Sequence, residues 1–176
     1  DMNAVLLALL GSPNLCSRAP VFTQYDHTVQ ANTVIPPGRA DAAVLRVRGT
    51  SKGLALTVDS AARYAALDPR RGAALAVAEA ARNLSCCGAE PLAVTDCLNL
   101  ANPERPPVAY ALAETIEGLR EACLALEIPV ISGNVSLYNE TEHSAVPPTA
   151  VVGMAGVLAD VTRAVDAAFK AEGDCV

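Results

Sequence analysis

Two short stretches carry the side chains best suited to ligand chemistry, and the first centres on Asp96. Asp96 follows the apolar run Leu92–Thr95 and precedes Cys97. An acid at the carboxyl end of a strand can hold a metal ion or a ribose hydroxyl. Its position also allows a plain structural role, in which Asp96 caps the loop before the next helix. The spacing of residues alone leaves both interpretations open.

The second stretch is Ser132–Glu140, with the sequence SGNVSLYNE. Gly133 permits a ligand to approach the backbone closely, and the amide oxygen of Asn134 is a hard ligand suited to Mg²⁺. Hydroxyls such as that of Ser136, together with nearby N–H groups, can hydrogen-bond phosphate oxygens. A polar turn between two strands is the alternative interpretation.

Two other stretches favour structural roles. In Tyr25-Asp26-His27 the histidine beside a carboxylate is typical of a general base, but such a pair more often ties an irregular segment to a domain. In Leu67–Gly72 two arginines could grip an anion, although Pro69 better fits a turn that starts a helix. The sequence has no Walker loop, no G-x-G-x-x-G and no nucleophile elbow.

Alternating strands and helices must position these residues. Residues 2–10 predict an amphipathic first helix that ends at Gly11, followed by an irregular stretch to Arg39. The period-two pattern of residues 43–48 and 54–58 predicts a hairpin. The remaining segments are predicted as helices at 71–87, 112–126 and 160–170, and as strands at 91–98, 128–131 and 150–158. This order predicts an α/β (α+β) domain with one mixed sheet covered by helices.

Composition excludes several classes of protein. The 176 residues are 52% apolar with a net charge of −6, which argues against a disordered chain and against nucleic-acid binding. No apolar run approaches the roughly 20 residues of a membrane-spanning helix. The six cysteines lack metal-site spacing and predict reduced thiols in a cytoplasmic protein. The chain ends predict a piece of something larger.

Four strings in unbroken order resemble the second half of phosphoribosylformylglycinamidine synthase, in the large synthetase subunit of the three-component bacterial form. The resemblance runs from about Leu6 to Asp174. The strings are YDHTVQANTV from Tyr25, AEAARN from Ala78, PLAVTDCLN from Pro91 and ISGNVSLYNE from Ile131.

The resemblance implies a ligase of purine biosynthesis. It converts formylglycinamide ribonucleotide, ATP and glutamine-derived ammonia into formylglycinamidine ribonucleotide, ADP and phosphate, by way of an iminophosphate that ammonia displaces. It also implies the N-terminal domain fold of the aminoimidazole ribonucleotide synthetase-like superfamily, whose sheets pair into a pseudo-dimeric barrel. Residues 1–40 would be an N-terminal helix and irregular segment, residues 41–158 the second copy of that domain, and residues 159–176 the start of a truncated C-terminal-type domain.

The resemblance also assigns roles to single residues. Asp96 and Gly133 match ATP contacts, Asn134 matches a magnesium ligand, and Ser136 matches a contact to the ribonucleotide substrate. The side chains of Asp96 and Asn134, at neighbouring strand ends, are therefore expected to converge on one magnesium-bound triphosphate. No catalytic residue is implied, because the catalytic histidine of the family belongs to the first half and His27 is a structural echo of it.

The implied partners are the missing half of the same subunit, a glutamine amidotransferase subunit and a small PurS-type subunit, with no nucleic acid and no membrane. Alone, the chain is expected to be inactive, to bind ATP weakly, and to pair with itself through an apolar sheet face.

Two alternatives stay open. The first is a related ATP-dependent enzyme of the aminoimidazole ribonucleotide synthetase type, which carries a glycine-rich metal-binding segment after the first hairpin. Val58–Tyr64 stands at that place here and lacks the glycines. The second is a non-catalytic assembly module that supports the barrel and docks the amidotransferase.

Overall fold

The computed structural model describes residues 1–173, and its centre is a six-stranded mixed sheet. The strands are β1 (Thr33–Ile35), β2 (Ala43–Arg46), β3 (Gly53–Ser60), β4 (Glu90–Asn99), β5 (Val130–Ser136) and β6 (Thr149–Leu158). Their spatial order is β1-β2-β3-β6-β4-β5, in which β4 and β5 are parallel and every other pair is antiparallel. The helices are α1 (Met2–Leu10), α2 (Ala19–Phe22), α3 (Ala62–Leu67), α4 (Pro69–Cys86) and α5 (Pro106–Ala125).

Helix α4 begins and ends as its sequence predicts. The Asp68 side chain caps the helix by accepting a hydrogen bond from the Arg71 N–H at 3.0 Å, and Pro69 occupies the first turn. Gly88 follows the helix with φ of +84°, the left-handed conformation that glycine adopts most easily. These observations confirm the turn and helix start at Leu67–Gly72 and the helix predicted at 71–87.

The hydrophobic core lies between α4 and one face of the sheet, the covered face. Strand β6 alternates strictly, and its buried positions include Val152 and Met154. Helix α4 meets them with fully buried Ala76, Val77 and Leu84. Small side chains on α4 bring the helix close to the sheet, which is consistent with the alanine-rich sequence. The predicted α/β (α+β) class, with one mixed sheet covered by helices, is confirmed.

Helix α5 packs against α4 at very short range. A Cβ atom added at Gly118 would overlap the carbonyl oxygen of Arg70, so the two backbones nearly touch. At the same crossing the Arg70 guanidinium forms ion pairs with three α5 carboxylates, those of Glu114, Glu117 and Glu121. Arg70 therefore joins two helices and does not serve as an anion-binding side chain for a ligand.

The opposite face of the sheet, the open face, is bare, and it is apolar along β3 and β6. On β3, Leu54, Leu56 and Val58 point to this face and remain 38%, 44% and 74% exposed. Val151 and Ala155 of β6 lie beside them. No helix of residues 1–173 covers this face.

Helix α1 is present as predicted, but no face of it is buried against the rest of the chain. None of its residues is buried, and Met2, Leu7 and Leu10 are 79%, 69% and 74% exposed. The prediction of an amphipathic helix, with one buried face, is therefore wrong for the chain on its own. A helix that is apolar on all sides is typical of one that other elements surround.

The helix predicted at 160–170 is wrong. Only the short 3-10 turn Val161–Arg163 forms there. The N–H groups of Val165 and Ala167 donate to the carbonyls of Cys87 and Arg39, so they are not available for helical hydrogen bonds.

Other expectations concern the cysteines and membrane segments. The five cysteines within residues 1–173 are free thiols, and Cys175 lies outside the described residues. In that same part of the chain, no helix has the length and apolarity to cross a membrane.

Candidate functional site

The candidate site is the parallel strand pair β4–β5 at one margin of the sheet. Asp96 pairs with Gly133, Cys97 with Asn134, and Asn99 with Ser136. Strand β5 continues to Ser136, so Gly133 and Asn134 lie within a strand. The interpretation of Ser132–Glu140 as a polar turn is therefore wrong for residues 132–136, as is the placing of Asp96 in a capping loop.

On the covered face, the Asp96 carboxylate lies directly over Gly133. A Cβ atom at position 133 would stand 2.6 Å from Asp96 Oδ2, so any larger residue there would force the carboxylate to move. Burial raises the pKa of Asp96, and no cationic side chain of the described residues forms an ion pair with it. The nearby Cys123 thiol also has a raised pKa, first through burial and then through the Asp96 charge. An unpaired, partly buried carboxylate of this kind is suited to a cation or to hydrogen-bond donors on a ligand.

On the open face, polar side chains of β5 form a row beside those of β4. The Thr95 hydroxyl donates to the Ser132 hydroxyl at 3.1 Å. Asn134 Nδ2 lies 3.8 Å from Cys97 Sγ, which leaves the Asn134 Oδ1 oxygen free for a ligand. This row of hydroxyl and amide groups was only partly foreseen, because Thr95 and Ser132 carry no motif of their own.

The register places Asp96 and Asn134 on opposite faces of the same strand pair. Residues paired across parallel strands share a face, and Asn134 pairs with the neighbour of Asp96. The expectation that their side chains converge on one magnesium-bound triphosphate is therefore wrong for this arrangement. The structure instead joins Asp96 with Gly133 on one face and Asn134 with Ser136 on the other.

The residues present fit a magnesium ion only in part. Mg²⁺ prefers oxygen ligands in an octahedron and commonly keeps waters and substrate phosphates among them. The open face offers the free Oδ1 of Asn134 as one such oxygen, while no cluster of three or more acidic, histidine or cysteine side chains occurs in residues 1–173. A metal held here would take most of its ligands from the nucleotide, from water or from other parts of a larger protein.

The loop that follows β5 is fixed firmly to the end of β4. Tyr138 has φ of +60°, a left-handed conformation that is unusual for a bulky residue. Asn139 bonds to the Leu100 carbonyl through both its backbone N–H and its side chain, each at 3.0 Å. The Glu140 carboxylate accepts hydrogen bonds from the Asn102 N–H and the Arg105 guanidinium. The sequence singles out the stretch Ser132–Glu140 but predicts none of these individual roles.

Two further features lie at the end of the sheet where β3, β4 and β5 finish. Asp59 accepts hydrogen bonds from Thr57 and Asn83, each at 2.7 Å, on the covered face. A cavity of about 390 Å³ opens between the starts of α4 and α5 and the loops after β4 and before β6. Its lining is almost wholly apolar and includes Leu67, Leu100 and Tyr110.

The Tyr25-Asp26-His27 stretch lies on the surface, and its acid and histidine do not bond to each other. Asp26 Oδ1 accepts from the N–H and hydroxyl of Thr28, both at 2.8 Å, and these bonds lower the pKa of Asp26. The Thr33 hydroxyl donates to the His27 carbonyl. The stretch therefore holds an irregular segment in place, which was the favoured interpretation.

The unpaired carboxylate of Asp96 predicts how the stability of the chain depends on pH. Because burial raises its pKa in the folded chain, the folded state binds more protons than the unfolded state just above the ordinary value of 3.8. Stability is therefore lost as the pH rises through that range. We expect Asp96→Asn to raise the melting temperature by about 2 °C near pH 7, with the gain disappearing near pH 4.

Asp59→Asn is the matched control for Asp96→Asn, since Asp59 lies on the same face but accepts two hydrogen bonds. That variant is expected to lower the melting temperature. Thermal unfolding followed by circular dichroism at both pH values compares the two variants. A lower melting temperature for Asp96→Asn near pH 7 would contradict the uncompensated burial of this carboxylate.

Comparison with known proteins shows the class of protein to which this chain belongs. Residues 39–158 match the family model described as AIR synthase related protein, N-terminal domain, and the chain belongs to that family.

Particular relatives are closely similar. The chain is 62% identical over 173 residues to the phosphoribosylformylglycinamidine synthase subunit PurL of Thermomicrobium roseum, covering 98% of this chain and 24% of the relative. It thus spans about a quarter of the length of that relative. Among solved structures, PurLQS from Thermotoga maritima is 40% identical with a TM-score of 0.78, over 85% of this chain and 25% of that one. T. maritima PurL complexed with ATP is 41% identical with a TM-score of 0.72, over 81% and 23%.

Proposed function

We propose that this chain is the second AIR-synthase-type N-terminal domain of a phosphoribosylformylglycinamidine synthase large subunit. The observation that carries the proposal is the 62% identity to the T. roseum subunit across nearly the whole chain. The activity would be the ATP-dependent conversion of formylglycinamide ribonucleotide and glutamine-derived ammonia to formylglycinamidine ribonucleotide, in the cytoplasm. The partners would be the other half of the subunit, the glutamine amidotransferase subunit and a small PurS-type subunit.

Within that activity, the two faces of β4–β5 would serve two ligands. Asp96 would accept hydrogen bonds from the nucleotide on the covered face, where Gly133 leaves space for the carboxylate. On the open face Asn134 would supply an oxygen to Mg²⁺ and Ser136 a contact to the ribonucleotide. When bound, Mg²⁺ would neutralise negative charge on phosphate groups of the ligand at the open face. The apolar cavity beside the carboxyl ends of the strands has a size suited to a planar ring.

The test uses the full-length subunit that contains this chain, with ammonia as the nitrogen source. We expect ADP release to depend on formylglycinamide ribonucleotide and to fall by about 100-fold in Asn134→Ala. Asp96→Asn is expected to raise the KM for ATP, and Ser136→Ala the KM for the ribonucleotide. Wild-type rates in Asn134→Ala and Asp96→Asn would support the non-catalytic assembly module instead.

The 176-residue chain alone is expected to release no ADP, since it supplies few of the charges a triphosphate requires.

The bare open face supports a second proposal, that the isolated chain pairs with itself as it would pair with a partner sheet. Exposed apolar patches of this kind mark interaction surfaces. We expect Val58→Glu to reduce self-association strongly, because a charge in the middle of the face must lose its water in the paired state. Leu124→Glu is the matched control, since Leu124 is 64% exposed on α5, away from this face. Sedimentation measures the association, and a wild-type chain that stays monomeric at high concentration would contradict the proposal.

A further inference from the structure

We propose that Asn139 fixes the hydrogen-bonding direction of Ser136, so that the Ser136 hydroxyl accepts a hydrogen bond from its ligand and does not donate one. The ligand group that meets Ser136 is then a hydroxyl or an N–H, and not a phosphate oxygen. The inference rests on the proposed function only in taking Ser136 as a contact to the ribonucleotide. It makes Asn139 a positioning residue for that contact.

The orientation of the Asn139 amide follows from its neighbours. Its Nδ2 atom lies 2.8 Å from the Ser136 carbonyl oxygen and 3.0 Å from the Leu100 carbonyl oxygen. Backbone carbonyls only accept hydrogen bonds, so the atom that faces both of them must be the NH₂ group. The opposite orientation would set the amide oxygen against both carbonyl oxygens, with no proton between it and either of them.

The direction of the Ser136 hydroxyl follows in turn. Asn139 Oδ1 lies 3.2 Å from Ser136 Oγ, and an amide oxygen cannot donate. Ser136 must therefore give its single proton to Asn139. Its remaining capacity is two lone pairs, and no other side chain of residues 1–173 bonds to that oxygen. A ligand reaches this oxygen favourably only with an O–H or N–H donor, such as a ribose hydroxyl.

The backbone holds Asn139 in place for this role. Its N–H donates to the Leu100 carbonyl at 3.0 Å, while Tyr138 beside it donates to the Ala101 carbonyl at 3.1 Å in the left-handed conformation. Unusual backbone conformations persist where surrounding contacts over-determine them, and they concentrate at functional sites. Glu140 anchors the same loop through Asn102 without touching Ser136, and so provides an internal control.

The experiment measures binding by calorimetry in the full-length subunit. The ligands are formylglycinamide ribonucleotide, analogues that each lack one ribose hydroxyl, and inorganic phosphate as a competitor. We expect Ser136→Ala and Asn139→Ala each to weaken ribonucleotide binding by about tenfold, and the double variant to be no weaker than either. Asn139→Ala should also lose the preference for the complete ribose and bind phosphate more tightly, because its Ser136 proton is free. Glu140→Gln should keep the preference.

Additive losses in the double variant, or an unchanged ribose preference in Asn139→Ala, would overturn the inference. A wild-type subunit that fails to bind the ribonucleotide would instead contradict the proposed function. A measurement without ligand then decides the inference. Nuclear magnetic resonance of the 176-residue chain reads the Ser136 hydroxyl proton through the isotope shift of its β-carbon. Slow exchange is expected in the wild type and in Glu140→Gln, and fast exchange in Asn139→Ala. Fast exchange in the wild type would refute the assigned direction.

Discussion

Gly133→Ala is expected to reduce the kcat/KM of the full-length subunit by at least about 100-fold while the subunit stays folded. The added methyl group would stand 2.6 Å from Asp96 Oδ2 and 3.0 Å from its Cγ, so the carboxylate must turn away. The nucleotide contact proposed for Asp96 on the covered face would then be lost. Steady-state rates of ADP release at varied ATP measure the loss.

Gly53→Ala separates this effect from general overpacking. A Cβ atom at position 53 would meet the Val161 side chain at 2.8 Å, a comparable collision on β3, at the opposite end of the sheet from the site. We expect both variants to lose stability to a similar degree, but Gly53→Ala to keep its kcat/KM. Equal activity of the two variants would show that the room above Gly133 is not needed for ligand binding.

Gly118→Ala is expected to lower the free energy of unfolding by about 3 kcal/mol. In an isolated helix the same change would be stabilising, because alanine is the better helix former. Here the methyl group overlaps the Arg70 carbonyl, so α5 must move away from α4 and break the ion pairs that Arg70 makes with it. Urea unfolding of the 176-residue chain measures the change.

The control for Gly118→Ala is Gly49→Ala. No atom lies within 4 Å of a Cβ at position 49, so its cost is limited to the positive φ of +77° and amounts to about 1 kcal/mol. A Gly118→Ala chain as stable as the wild type would mean that the two helices do not cross as closely as described here.

The sequence predicts elements well where a periodic pattern meets a clear end signal. Helix α4 is bounded by Asp68 and Gly88, and the β2–β3 hairpin by its alternation, so both are confirmed close to their predicted limits. The segment at 160–170 has the composition of a helix, but its backbone N–H groups donate hydrogen bonds to the carbonyls of Arg39 and Cys87. Those contacts join residues far apart in the chain, and no local pattern reports them.

The sequence could not predict which face of the sheet each site residue occupies, because one irregularity in the pairing of β4 with β5 decides it. Val94 pairs with Val130, but Thr95 pairs with Ser132, so the register shifts by one residue between these pairs. Without that shift Leu98 would stand opposite Asn134, and Asn134 would share the face of Asp96. A single-residue shift reverses which side every later side chain faces. The sequence thus identified the site residues as candidates, while this shift determines which of them meet.

Strand β5 carries the Asn134 and Ser136 side chains, yet among the described strands it bonds to β4 alone, and none of its residues is buried. Strand β6 has a neighbour on each side and carries part of the core. Backbone amides should therefore exchange with deuterium much faster along β5 than along β6. Anything that seats against this margin, whether nucleotide or neighbouring domain, would slow that exchange. The strand proposed to bind the ligands would thus also report directly on their occupancy.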